Sequence, residues 1–271
     1  MKQSQHALFD TVTTFVASHE QVAIALSGLL VAAAVFGVGW GYRRSMSTWL
    51  ATSAQVGGPF FGVTVLALQA SRGGWLTGVD QSVTAWLVAH RNPAIDDVAL
   101  AVSTALGPVE IAFLTIVGAV AVGITFRSVL AGLTVLATVG GASALCSLIK
   151  LLVSRARPPF AVQEVLETDY SFPSGHVTGT AALVGILAVA FGLAASRVLQ
   201  GLLTVAAVLA VSAVALSRLY LGVHWLTDVS AGALLAAAVV TVGAAGLAVL
   251  VADPPRAAES ALPGSVTKAL T

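Results

Sequence analysis

Three short polar runs decide the reading of this chain: KLLVSRARP (150–158), PSGH (173–176) and SRLYLGVHWLTD (217–228). Each stands at the edge of a long tract of Ala, Val, Leu and Gly. The tract 129–153 closes at the first run and the tract 175–195 opens from the second. The third run lies between the tracts 198–217 and 226–251. A helix crosses a bilayer with about 20 apolar residues, because each residue rises about 1.5 Å against a hydrocarbon layer of about 30 Å. The tracts have about that length, so they read as membrane spans and the polar runs as their ends.

Working outward, three more stretches read as spans, near 21–40, 49–70 and 109–126. Gly57, Gly58 and Pro59 break the second of these, which is expected to be kinked or not to span at all. Between it and the next lies the polar interval 71–108. Within that interval VDQSVTAWLVAHR (79–91) reads as a short amphipathic helix in the interface, anchored by Trp86. The fold class is therefore all-α: a polytopic transmembrane helix bundle of six or seven spans with one interfacial helix. Residues 1–48 read as an N-terminal segment carrying an extra span, and no cleaved leader is expected there. Residues 49–252 read as the main transmembrane domain. Residues 253–271, with Pro254, Pro255 and Pro263, read as a flexible tail.

Composition supports this class. Of 271 residues, 57% are hydrophobic and 9% charged, with a mean hydropathy of +0.94. Soluble domains carry about 25% charged residues. The net charge of +1 gives no broad basic surface, which argues against nucleic acid as a partner. The single cysteine, Cys146, allows no internal disulfide and no Cys-x-x-C metal site, and reads as a small packed residue. No metal-ligand cluster stands out, and His6, His19 and His90 read as surface residues.

Counting span ends places all three runs on one membrane face. The other face would carry Arg43, Arg44, Arg127, Arg197, Arg256 and Lys268, against Arg72 and Arg91 outside the runs on the first. The positive-inside bias then puts the runs on the extracytoplasmic face of a cell membrane. With seven spans the N-terminus is extracytoplasmic as well; with six it is reversed.

Each run has a plain reading and a chemical one. Lys150 and Arg157 are seven apart and share a face if the helix continues that far, with Pro158 helping to stop it. Together with Arg218 they offer a point charge and two planar forks suited to phosphate oxygens. Alone they would pass for snorkelling side chains at a helix end, which is the reading given to Arg155. Pro173, Ser174 and Gly175 read as a helix start, either a simple cap by Ser174 or an anion site on the free amides that Gly175 lets a phosphate approach. His176 falls in that first turn. His224 and Asp228, four apart, would meet on a helix face, so that the carboxylate fixes the imidazole tautomer. Six such groups on one predicted face point to phosphate binding and hydrolysis. The acids Glu164, Glu167 and Asp169, with Tyr170, lie in the loop 159–172. They read as solvated side chains, or alternatively as groups that orient or exclude headgroups.

The three runs resemble the signature motifs of the phosphatidic acid phosphatase type 2 superfamily, which includes vanadium haloperoxidases and bacterial acid phosphatases. Lys150 to Pro158 matches Lys, six residues, Arg-Pro. Pro173 to His176 matches Pro-Ser-Gly-His. Ser217-Arg218, His224 and Asp228 match the third motif in order and spacing. The resemblance covers roughly the C-terminal two thirds of the chain. It implies that His224 is the nucleophile that becomes a phosphohistidine, with Asp228 as its partner and His176 as general acid and then base. It implies a phosphate cradle of Lys150, Arg157, Ser174, Gly175 and Arg218, needing no metal or other cofactor. The hydrophobicity of this chain fits the membrane branch. The substrate is then a lipid phosphate or diphosphate of the phosphatidic acid, phosphatidylglycerol phosphate or undecaprenyl diphosphate type. A phosphotransferase using a lipid or sugar acceptor is the alternative within the chemistry. A transporter or other protein that merely binds anionic lipid is the alternative outside it, and would not need the His224–Asp228 pair. Oligomeric state is not readable from the sequence.

Overall fold

A computed structural model describes residues 26–37 and 48–252. Among these it contains helices joined by short turns and one longer loop. The short helix α1, Leu26–Gly37, is followed by α2, Thr48–Arg72. Then come α3, Trp75–Ala89, and α4, Pro93–Ala105. The remaining five are α5, Pro108–Thr125, α6, Val129–Val153, α7, Gly175–Gly192, α8, Arg197–Tyr220, and α9, Leu226–Ala252. Six of these, α2 and α5 to α9, are long and apolar enough to cross a membrane. The all-helical polytopic bundle anticipated from the tracts is what forms.

The tract boundaries were close, and the differences have local causes. The break foreseen at Gly57–Pro59 does not occur: α2 runs on through Pro59. Gly58 instead lets α1 come close, because a Cβ there would lie 2.9 Å from the Phe36 amide. Gly28 faces Val65 and Ala32 faces Gly62, so α1 and α2 are antiparallel. Only residues 26–37 of the expected first span are described; the rest of it, the first 25 residues and the tail from Asp253 lie outside the described residues. The polar interval 71–108 holds two helices rather than one. Asn92 separates them, its side chain accepting from the Ala94 amide 2.9 Å away and so capping α4.

Helices α3 and α4 are amphipathic in an unusual sense. The buried residues of α3 are Asp80 and Thr84, whereas Trp75 and Trp86 are exposed. In α4, Ala99 and Ser103 are buried, whereas Ile95, Val98 and Leu100 are exposed. Some polar side chains thus point into the protein while large apolar ones face outward, although Leu87 and Ala99 also pack inward and Gln81 and Asp97 are exposed. Helix α8 exposes Val198, Leu202, Val205 and Leu209 and buries its last residues, Ser217 to Tyr220.

The main core gathers Val122 of α5, Val135 and Val139 of α6, Ile186 of α7 and Leu247 of α9. Lipid tails are as apolar as these side chains, so the association rests on close packing more than on the hydrophobic effect. Small residues provide the closeness: a Cβ on Gly232 of α9 would lie 2.8 Å from the Ser174 carbonyl at the start of α7. Helices α6 and α8 end, and α7 and α9 begin, at the same end of the bundle, where α3 and α4 also lie. Arg127, between α5 and α6, and Arg197, at the start of α8, mark the opposite end.

Candidate active site

Helix α6 stops at Val153, where Ser154 adopts a left-handed conformation (φ 50°) and its amide donates to the Lys150 carbonyl at 2.9 Å. The helix therefore ends before Arg157, and Lys150 and Arg157 do not share a helical face as expected. Pro158 lies beyond the stop. Both nevertheless reach the loop acids: Lys150 Nζ donates to Asp169 at 2.9 Å, and Arg157 donates from Nε to the Asp169 carbonyl at 2.9 Å and from Nη2 to its carboxylate.

Arg218, in the last turn of α8, is almost wholly buried. It donates from Nη1 to Ser103 Oγ at 2.6 Å and from Nη2 to Glu167. The loop carboxylates are thus ion-paired rather than freely solvated. Burial alone would raise the Asp169 carboxyl, but Lys150 and Arg157 hold it down at about 2. Burial likewise opposes, and Arg218 and Arg157 outweigh it, in lowering Glu167. Arg91 fixes the base of this loop, donating to Val162 O at 2.6 Å, Tyr220 O at 3.0 Å and Glu164 at 2.6 Å.

Ser174 stands at the N-terminus of α7 without capping it: its buried hydroxyl has no hydrogen-bond partner among the described residues, and neither does the buried Arg218 Nε. Buried polar groups are ordinarily paired, so two unpaired donors beside a helix start are suited to an anion. A Cβ on Gly175 would meet nothing nearer than Cys146 Sγ at 4.0 Å, leaving open space over the first amides of α7. His176 lies in that turn. Cys146 is buried as a packed thiol, as anticipated.

His224 is not on a helix. It sits in the Leu221–Trp225 connection, and α9 starts just after it. Asp228 brings the two together by capping that start, its Oδ2 accepting from the Trp225 amide at 2.9 Å and lying 3.3 Å from His224 Nδ1. The connection depends on Gly222, whose φ of +69° and contact with the Val162 carbonyl leave no place for a side chain. Arg157 Nη1 lies 3.1 Å from His224 Nε2. Both contacts are met by a neutral ring whose Nδ1–H donates to Asp228 and whose Nε2 accepts from Arg157. Burial first, then Arg157, Arg218 and Lys150, push this imidazole well below its ordinary value.

A cavity of about 670 Å³ joins these groups. Lys150, Arg157, Gly175, His176 and His224 line one part, and Ile111, Ile116, Leu136, Val139 and Gly140 line the rest, between α5 and α6. Among the described residues no three His, Cys, Asp or Glu gather to hold a metal ion.

Comparison with known proteins identifies the family. The model of the PAP2 superfamily matches residues 131–248, which contain all three motifs. Phosphatidylglycerophosphatase B of Bacillus subtilis is 33% identical over 159 residues, 56% of this chain and 75% of that one. The chain belongs to the PAP2 superfamily.

Another relative, the decaprenylphosphoryl-5-phosphoribose phosphatase of Mycobacterium tuberculosis, is 41% identical over 106 residues. That match covers 38% of this chain and 52% of the relative, so the chain spans about half of that protein's length. In structure, the chain is similar to a crystal structure of the transmembrane PAP2 type phosphatidylglycerolphosphate phosphatase from Bacillus subtilis. The TM-score is 0.64 at 24% identity, over 70% of this chain and 94% of that one. The fold is therefore shared.

Of the motif residues singled out from the sequence, Lys150, Arg157, Gly175, His176 and His224 line the cavity. Arg218 and Asp228 stand behind it, paired with Glu167 and His224, and Ser174 precedes Gly175 at the start of α7. Two others were missed. Arg155, read as a snorkelling flank, is 9% exposed in its side chain and pairs with Asp80 and Asp228. Asp80 went unnoticed on the interfacial helix, although it is the first carboxylate after Glu20. An isolated acid in so apolar a chain was the available signal.

Proposed function

We propose that this PAP2 protein is an integral membrane phosphatase that hydrolyses a lipid phosphate or diphosphate through a phosphohistidine, without a metal. The observation that carries the lipid reading is the cavity, whose cationic part is continuous with an apolar groove between two spans. A phosphate placed among Lys150, Arg157, Arg218 and the start of α7 leaves its tail in that groove, against lipid-facing helices. The two relatives, a decaprenylphosphoryl-5-phosphoribose phosphatase and a phosphatidylglycerophosphatase, support the same reading.

The steps follow from the geometry. His224 Nε2 attacks phosphorus, an Nε2–P bond forms, and the ester P–O bond breaks. The leaving oxygen takes a proton from His176 in its imidazolium form. Arg157 already touches Nε2, so its guanidinium lies within reach of the phosphoryl group bonded there. Water then attacks phosphorus and yields a proton to the neutral His176. The N–P bond breaks and inorganic phosphate leaves. Lys150, Arg157, Arg218, Ser174 and the Gly175 amide stabilise the charge spread over the phosphoryl oxygens. The arginine bias supports an extracytoplasmic site. Phosphatidic acid, phosphatidylglycerol phosphate and polyprenyl diphosphates are the candidate substrates.

The test is phosphate release by purified protein in detergent from each of these lipids and from a soluble phosphate ester. Lipids should be turned over far faster than the soluble ester, and His224→Ala should lower the rate by at least about 1000-fold. Wild-type turnover by His224→Ala would refute the mechanism. Equal use of the soluble ester would refute the lipid assignment.

A further inference from the structure

Asp80 is 1% exposed, lies in α3 outside every motif, and has no part in the steps above. Its surroundings are fully specified. Oδ1 accepts from the Thr227 amide at 2.9 Å, and Oδ2 accepts from Thr227 Oγ1 at 2.7 Å and from Arg155 Nη2 at 2.6 Å. Arg155 Nη1 in turn donates to Thr227 Oγ1 and to Asp228 Oδ1, each at 2.6 Å. The guanidinium also lies over the Trp225 ring, 5.4 Å from its centroid. Asp228 spends its other oxygen on the Trp225 amide and His224 Nδ1. An unbroken chain of contacts therefore runs from α3 through Arg155 and Asp228 to the imidazole.

We infer that Asp80 and Arg155 are positioning residues for His224, acting through Asp228. This rests on the phosphohistidine reading, and the reason is electrostatic. When Nε2 bonds to phosphorus the ring becomes cationic, and the nearest counter-charge is Asp228. Arg155 orients Asp228 by gripping Oδ1, but an arginine facing that carboxylate alone would also neutralise it. Asp80 takes the other half of the fork. Asp80, Arg155 and Asp228 together carry one net negative charge, which balances the imidazolium as it forms. Burial of all three keeps these interactions strong and their geometry fixed. It also explains why an interfacial helix should turn an acid inward: α3 supplies the charge that lets Arg155 hold Asp228 without cancelling it.

A purely structural ion pair would affect folding and leave each folded molecule fully active. The full chain in detergent, assayed with phosphatidic acid micelles, separates the two. Asp80→Asn keeps the size and one acceptor for the Thr227 amide but removes the charge. Its kcat per folded molecule should fall about 10- to 100-fold, because a small misplacement at the reacting atom has that effect. Its KM should stay within about twofold, because the phosphate cradle is untouched. Acid-labile phosphoenzyme, trapped in a rapid quench, should build up more slowly by the same factor as kcat. Asp80→Asn combined with Arg155→Gln should be far less than multiplicatively worse than Arg155→Gln alone, as for residues acting as one unit.

Wild-type kcat in folded Asp80→Asn, or a loss confined to KM, would overturn the inference. Should Asp80→Asn not fold, Thr227→Val removes the hydroxyl shared by Asp80 and Arg155 while keeping the shape. It should lose about tenfold in kcat, and an unchanged kcat there overturns the inference equally. His224→Ala run alongside distinguishes the failures. If it is inactive while Asp80→Asn is normal, only the positioning role falls; if it is fully active, the phosphohistidine reading falls and the positioning role with it.

Discussion

At the scale of residues, the site is a set of charges whose partners lie far away in sequence. His224 shows the consequence. Its ring is buried against three cations, so the neutral form, the one the proposed attack requires, is strongly favoured. In the unfolded chain it would titrate near its ordinary value of about 6.5. The folded value is lower, so the unfolded state binds the proton more readily in acid. The contribution of this group to stability is full above about pH 6.5 and is lost as pH falls from there toward the folded value. Thermal melts in detergent should be level from about pH 7 to 8 and decline below about pH 6. His224→Gln should flatten part of that decline; an identical acid profile in the variant would contradict this account.

At the scale of elements, the site depends on where helices stop. Helix α6 stops at Ser154 and frees Arg155 and Arg157 to turn in different directions, one to Asp228 and one to His224. The turn after α8 stops at Gly222, which packs under the Val162 carbonyl of the loop carrying Glu167 and Asp169. Gly222→Ala should therefore cost about 1–2 kcal/mol from the left-handed backbone, with further loss from the contact. A lower melting temperature together with a fall in phosphate release is the expected outcome, because the same turn carries His224. A variant that melts and turns over normally would show that this connection is free to move. The inward acid of α3 belongs to this scale too. The sequence 79–91 displayed an amphipathic helix, but periodicity does not tell which face is turned to lipid and which to protein.

At the scale of the whole molecule, the bundle opens one groove from the charged end into the lipid-facing wall between α5 and α6. Gly140 lines it, and a Cβ added there meets nothing within 4 Å. Gly140→Phe should therefore fill the groove without disturbing the packing. The kcat/KM for a long-tailed lipid phosphate should fall about tenfold or more, while a short soluble ester changes by less than about twofold. Equal loss on both substrates would place the tail elsewhere.

The sequence by itself determined the class of fold and most of the charged site. In a chain this apolar, polar side chains are costly wherever they stand, so the few that remain mark helix ends or chemistry. Counting spans then put Lys150, Arg157, Ser174, Gly175, His176, Arg218, His224 and Asp228 at one end of the bundle. Local geometry was read less well. The helix expected to carry Lys150 on to Arg157, and the one expected to carry His224, both stop short, because caps and a left-handed residue depend on exact chain position. The tertiary structure alone decided the pairings. Arg155 meets Asp228 across 73 residues and Asp80 across 75, and no period or motif spans such a separation. The charge of Arg155 was visible from the start. That it steadies a carboxylate rather than snorkels to the headgroups depends on α3 and α9 packing around it, and contacts between distant elements exist only once the chain has folded.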